Sequence, residues 1–160
     1  MARPPATATR EPDDYGVLLA RAYAAFVDEL RAAMAEAGHR DLPAAFGYVI
    51  RAVAAGPLTL RELADRLGVT SPAELKVVDE LAARGYLARR PDPDDARAMR
   101  LVLTAHGEAA LATARRFHRG YEQRLARRVG AARAAALREV LEGIVADRAA
   151  DGHAAALRPV

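Results

Sequence analysis

Residues 58–86, LTLRELADRLGVTSPAELKVVDELAARGY, contain two short helices in succession, each with its own start and stop signals. In the first, Thr59 is followed three residues later by Glu62, a capping box in which each side chain satisfies a backbone N–H at the helix start. Leu60, Leu63, Ala64 and Leu67 then recur at three- and four-residue steps on one face, and Gly68 supplies the exit. The second helix repeats the logic. Ser71 is its N-cap, Pro72 takes the first helical position, Glu74 reaches back towards the cap, and Gly85 stops the helix after Arg84. Two short capped helices joined by a turn of about three residues containing glycine predict a helix-turn-helix.

Working outward, the hydrophobic period shortens after Gly85. Tyr86–Arg90 and Met99–Leu103 read as two strands around the turn-rich Pro91–Arg97, whose prolines forbid continuous pairing, so a β-wing follows the helix pair. Upstream, Val17, Leu18, Ala22, Ala25, Phe26, Leu30, Ala33 and Met34 predict a long helix from Asp13 that stops at Gly38. A second helix runs from Pro43 through Phe46, Val49, Ile50 and Val53 to the Gly56-Pro57 break. Downstream, Thr104 caps a helix to Arg128, Val129-Gly130 breaks it, and residues 131–149 form the last helix, with Leu137, Val140, Leu141, Ile144 and Val145 as its apolar positions.

The predicted fold class is therefore mainly α with a small β-wing: a winged helix-turn-helix at 58–103 between support and dimerisation helices at 13–57 and 104–149. Residues 1–12 read as a disordered arm and 150–160 as a weakly patterned tail. The flanking helices are too long and too apolar for a winged module of about 45 residues to cover, which predicts a homodimer.

Composition removes several function classes. With no cysteine there is no disulfide, thiolate zinc site, sulfur redox switch or cysteine nucleophile. His39, His106, His118 and His153 include no i, i+4 pair, Ser71 lacks a nucleophile-elbow context and the glycines form no phosphate-cradling loop. The expectation is no metal, no cofactor and no enzymatic activity. No apolar run approaches the roughly 18 residues of a membrane span, and the first residues lack a secretory apolar core, so a cytoplasmic location is expected. Net charge is +3, yet residues 58–103 hold 8 basic and 8 acidic side chains, so charge alone does not mark the module as a nucleic-acid binder.

The order of helices, the stretches LTLRELADRLGV and VVDELAARGYLARR, the DPDDAR loop and the closing LVLTAHG together resemble the MarR family of bacterial regulators over residues 13–149. The resemblance implies a triangular dimer, a recognition helix in the major groove and a wing in the minor groove. It further implies a repressor on a pseudo-palindromic double-stranded DNA operator, released by a small molecule bound between dimer and reading head.

Carried onto this chain, the recognition helix turns Leu75, Val78, Leu81 and Ala82 inward and Ala73, Lys76, Glu80 and Ala83 outward. Lys76 is the expected groove cation, and Ser71, Pro72 and Ala73 offer the free amides of the helix start to a phosphate. In the loop, Asp95 and Arg97 match the family's Asp-x-Arg wing; Arg97 reaches the minor groove, or is tied to Asp95 or Asp79 and shapes the wing. Arg89 and Arg90 are expected phosphate contacts, with Arg100 a weaker candidate. The arginines at 115, 116, 119, 124, 127 and 128 read as the solvated side of a dimer helix. Tyr15, Tyr23, Phe46, Tyr48 and a cation, Arg51 or Arg21, are the expected pocket for a planar or anionic molecule. Glu74 and Leu75 stand where the family carries an apolar and a small hydroxyl residue. With the neutral head, this exchange raises the alternative of a dimer that binds a small molecule or protein partner without DNA.

Overall fold

Each helix begins and ends where local chemistry allows it. The computed structural model describes residues 13–68, 72–93, 95 and 97–150, with the backbone alone at 72–75 and 148–150. Helix α1 (Tyr15–Glu36) starts where the Asp14 carboxylate accepts the Val17 N–H at 2.9 Å. Helix α2 (Phe46–Ala54) begins three residues after Pro43, because the Pro43 carbonyl accepts the Phe46 N–H in a turn that precedes the helix. Helix α3 (Leu60–Leu67) carries both arms of the capping box: Glu62 N–H donates to Thr59 Oγ1 at 3.2 Å and Thr59 N–H to Glu62 Oε2 at 2.7 Å. The Thr59 N–H and hydroxyl both donate to the Glu62 carboxylate and hold it below its ordinary pKa, since each bond favours the charged acceptor. Helix α4 (Pro72–Ala83) is the expected recognition helix; its cap at Ser71 lies outside the described residues.

Strands β2 (Leu87–Pro91) and β3 (Met99–Leu103) pair antiparallel, with Leu87 opposite Leu103 at the open end and Pro91 opposite Met99 at the connected end. A further strand, β1 (Leu58–Thr59), pairs with the other edge of β3, giving the sheet order β1-β3-β2. The sequence reading contains no strand there, because two residues show no alternation. Thr104 then accepts the Gly107 N–H at 3.1 Å and starts α5 (Ala105–Val129), and α6 (Ala131–Ala150) follows the break at Gly130.

The core lies between α2, α3, α4 and the sheet, with Val49, Ile50, Leu63, Val78, Leu81 and Leu101 fully buried. Helix α2 sits at its centre because its apolar residues occupy most of its circumference. By contrast, Val17, Leu18 and Leu19 of α1 and Leu137, Val140, Leu141, Ile144 and Val145 of α6 are exposed. Among the described residues no helix is long and apolar enough to cross a membrane.

The join between the sheet and α5 is tight. The Thr104 N–H donates to the Tyr86 carbonyl at 3.1 Å, its hydroxyl to the Gly85 carbonyl, and a Cβ at Gly107 would lie 2.2 Å from the Tyr86 oxygen. A backbone carbonyl already committed to a hydrogen bond cannot yield that distance cheaply. Gly107→Ala is therefore expected to lower unfolding free energy by about 2 kcal/mol or more in a urea titration; an unchanged midpoint would mean that α5 docks differently.

Candidate nucleic-acid interface and ligand cavity

Burial of Val78 and Leu81 fixes the rotation of α4, so Lys76, Asp79, Glu80 and Ala83 are exposed on its outer side, as the inward stripe requires. Leu75, Pro72 and Ala73 fall in the stretch where only backbone is described, and Ser71, Asp94 and Ala96 lie outside the described residues. The charges around Lys76 are arranged in pairs. Asp79 takes Arg89 Nη2 at 2.5 Å, and Glu80 takes Arg84 Nη1 at 3.0 Å. The first pair joins β2 to α4, with Asp79 holding Arg89 and not Arg97, while the Arg89 side chain stays half-exposed. Arg90 is exposed next to it.

At the wing tip the Arg97 backbone N–H donates to Asp95 Oδ1 at 2.9 Å, a short Asx-type turn that fixes the backbone. The Arg97 side chain forms no ion pair among the described residues. Arg100 has a structural place: its Nε donates to Asp92 Oδ2 at 2.6 Å and its Nη1 reaches the Pro57 carbonyl at 3.4 Å. With the Asp92 side chain only 6% exposed, this pair locks the base of the wing to the segment that leads into β1. Sequence reading missed it. Arg90 and Arg100 are directly opposed across β2 and β3, and Asp92 lies just past the end of β2, so the strand register was the signal that could have found it.

Behind the reading head is a cavity of about 1030 Å³, lined by α1 (Tyr23, Phe26, Leu30, Met34), the 39–44 segment, α2 (Phe46, Tyr48, Arg51), α3 (Arg66, Leu67) and α5 (Leu111, Ala114, His118). Four of the expected pocket residues, Tyr23, Phe46, Tyr48 and Arg51, are in its wall. Tyr15 is not: it is 86% exposed at the start of α1, and Arg21 turns away to Asp13 at 2.5 Å. Tyr15 is on the same side of α1 as Phe26 but precedes Tyr23 by eight residues, about 12 Å along the axis, whereas Arg21 is on the opposite side of the helix. Phe46 belongs to the wall and the core together, packing edge-on against Tyr86 at 5.4 Å.

The wall is apolar with a few polar groups. The Tyr23 and Tyr48 hydroxyls lie 3.4 Å apart, and burial with the Tyr23 contact pushes the Tyr48 phenol up to about 12. Burial, and then the nearby Arg51, hold the His118 imidazole below its ordinary pKa; His118 also stacks on Phe26 at 5.4 Å. Burial, and then His106, do the same to His39, whose Nδ1 lies 3.4 Å from the Tyr86 hydroxyl. His39, His118 and Arg66 were missed as wall residues. They come from three separate helices or turns, so only the fold brings them together.

These two shielded histidines predict that folding weakens in acid. A base whose pKa is lowered on folding gains its proton in the unfolded chain first, so its stabilising contribution, present above about 6.5, is lost as pH falls through the folded value. The urea midpoint is expected to drop between pH 7.5 and 5.5, and the drop to shrink in His118→Gln and in His39→Gln. Equal drops in wild type and both variants would show that neither imidazole is shielded.

The comparisons with known proteins agree with this geometry. A model described as MarR family matches residues 41–98. Among solved structures, the chain is similar to CouR, a transcriptional repressor bound to a 23-mer DNA duplex, at 30% identity and a TM-score of 0.66, over 82% of this chain and 92% of CouR. It is similar at 29% identity and a TM-score of 0.60 to a Mycobacterium tuberculosis MarR family protein in complex with salicylic acid, over 84% of this chain and 98% of that one. It shares the fold of wild-type MarR from E. coli, at 23% identity and a TM-score of 0.62, over 84% of this chain and 99% of that one. No curated protein gives a significant match. With the family model matched over residues 41–98 and 30% identity to CouR across most of both chains, the chain belongs to the MarR family.

Proposed function

We propose that this chain is a repressor that binds a pseudo-palindromic operator as a homodimer in the bacterial cytoplasm and releases it when a planar or anionic small molecule enters the cavity. One observation carries the reading: α2 is shared. Val49, Ile50 and Val53 of α2 belong to the core that also holds Val78 and Leu81 of α4, while Phe46, Tyr48 and Arg51 of the same helix form the cavity wall. A molecule between α1 and α2 therefore acts on the support of the recognition helix. CouR, bound to DNA, and the salicylate-bound relative support the two halves of the reading.

The domain roles follow. The exposed apolar residues of α1 and α6 are the surface a second copy would bury, which makes 13–57 and 104–149 the dimerisation segments and 58–103 the reading module. A twofold dimer meets half-sites about 10 base pairs apart. Lys76 enters the major groove, the α4 N-terminal amides meet a phosphate, Arg90 contacts the backbone and Arg97 enters the minor groove. Arg51 and the histidines of the cavity give an anionic group its partners.

The balance of charge favours one competing reading. With Arg89 closed on Asp79, Arg84 on Glu80 and Arg100 on Asp92, much of the head's positive charge is internally neutralised. That is the expected state of a dimer that binds a small molecule or protein without DNA. Fluorescence anisotropy with the DNA upstream of the chain's own coding region separates the two: saturable, salt-dependent binding supports the repressor, and its absence at low salt supports the rival.

If the repressor reading holds, Lys76→Ala is expected to cost about 1–3 kcal/mol per half-site and to alter sequence preference. Arg97→Ala is expected to weaken all sequences alike and to flatten the salt slope by about one per lost contact. Wild-type affinity and salt dependence in both variants would place the reading surface elsewhere. Sedimentation at micromolar concentration is expected to give a dimer, and a monomer would remove the symmetry argument.

A further inference from the structure

Helices α1 and α4 end in the same way, and the two ends are fastened to each other. At α1, the Gly38 N–H donates to Ala35 and the His39 N–H to Met34; at α4, the Gly85 N–H donates to Ala82 and the Tyr86 N–H to Leu81. Gly38 (φ 90°) and Gly85 (φ 74°) take the left-handed conformation that this double exit needs. The residue that follows each glycine turns back inward, and these two residues meet: the Tyr86 hydroxyl is 3.4 Å from His39 Nδ1 and the rings are 5.8 Å apart. His106 from α5 stacks on Tyr86 at 4.3 Å and closes the third side.

A second tie crosses the same junction. Arg84, at the end of α4, donates Nη2 to the Arg40 carbonyl at 2.6 Å and Nη1 to the Asp41 carbonyl at 2.5 Å. Its own helix holds it through Glu80, one turn back. A planar guanidinium can serve two carbonyls and a carboxylate at once only when all of them keep their places. The far end of the tie is special in its own right: Asp41 is the one described non-glycine residue at positive φ, 52°, a conformation that persists where the surroundings hold it. Arg40 and Asp41 are cavity wall, whereas Arg84 is not.

We propose that Arg84 is a positioning residue: its grip on the Arg40 and Asp41 carbonyls is what transmits occupation of the cavity to the recognition helix. The inference rests on the ligand-released repressor reading above. A molecule that pushes out the 40–43 wall moves the two carbonyls, and the short bonds of a guanidinium anchored on α4 leave little slack. The buried His39–Tyr86 contact supplies the pivot, so the wall segment turns about the junction instead of detaching from it. By reciprocity, DNA that repositions α4 must act back on the wall through the same bonds. Such a path is established by measured coupling and not by proximity.

The test uses the full chain, its upstream DNA as operator and salicylate as the cavity probe, on wild type, Arg84→Lys and Arg84→Ala, with thermal unfolding to confirm that each is folded. Salicylate affinity by calorimetry is expected to stay within about twofold of wild type, since Arg84 is outside the wall. The ratio of operator affinities without and with saturating salicylate is expected to be about tenfold in wild type, near one in Arg84→Ala and intermediate in Arg84→Lys. A wild-type ratio in folded Arg84→Ala overturns the proposal. If salicylate does not bind, hydrogen exchange decides: operator is expected to change exchange at residues 39–45 in wild type and to leave it unchanged in Arg84→Ala, and an equal change in both overturns it. Absence of operator binding by wild type itself is the failure of the repressor reading, and the role of Arg84 falls with it.

Discussion

Tyr86 is the point on which the architecture depends. Its N–H ends α4, its carbonyl takes the Thr104 N–H and sits against Gly107, its ring packs on Phe46, and its hydroxyl reaches His39. One residue thus joins the recognition helix, the wing, α2, α5 and the exit of α1. The consequence is geometric: the reading head has little freedom to move relative to α5 without breaking a buried hydrogen bond or an aromatic contact. Such a join costs much when broken because the freed carbonyl would remain away from water. A DNA-reading module that must present two surfaces at fixed spacing needs a support of this kind.

Much of this was legible in the residues themselves because it is local. Capping boxes, glycine exits and three- and four-residue apolar steps act over one or two turns, so Thr59 with Glu62, Gly85 and the Val78–Leu81 stripe could be read without the fold. What was missed depends on which distant elements meet. Strand β1 exists only because Leu58 finds Leu101, and the Asp92–Arg100 pair exists only because the strand register brings the two together. Similarly, Tyr15 carries the right chemistry for an aromatic pocket but stands eight residues before Tyr23 on α1, about 12 Å further along the axis, where it meets solvent and not the cavity.

Charge shows the same division. Counting side chains over 58–103 gives equal numbers of each sign, which is correct and uninformative. The fold converts that count into pairs: Asp79 with Arg89, Glu80 with Arg84, Asp92 with Arg100. Two of these pairs lie across elements, tying wing to helix and wing base to the segment before β1, so acidic residues that look unfavourable for a DNA binder serve to orient the module. The more exposed pairs, Asp79 with Arg89 and Glu80 with Arg84, contribute little to stability, typically about 0–1 kcal/mol, which makes geometry the better account of their presence. Three exposed cations, Lys76, Arg90 and Arg97, are then spaced along the helix, the strand and the wing tip instead of clustered.

The cavity and the reading head share α2 in a way that limits how the protein can respond to a ligand. A helix with five of its nine residues buried in the core cannot shift alone, because close-packed surroundings have few alternative arrangements. A ligand able to change DNA affinity must therefore act either by moving α2 together with the core of the head or by moving the 39–44 wall, which is irregular and tied at fewer points. The second route asks less of the packing. Residues 40 and 41 are exposed, their carbonyls face a single side chain of α4, and Asp41 already holds a backbone conformation that its surroundings maintain. Shared support makes the two sites depend on one another, and the few bonds across the 39–41 segment decide how much of that dependence reaches α4.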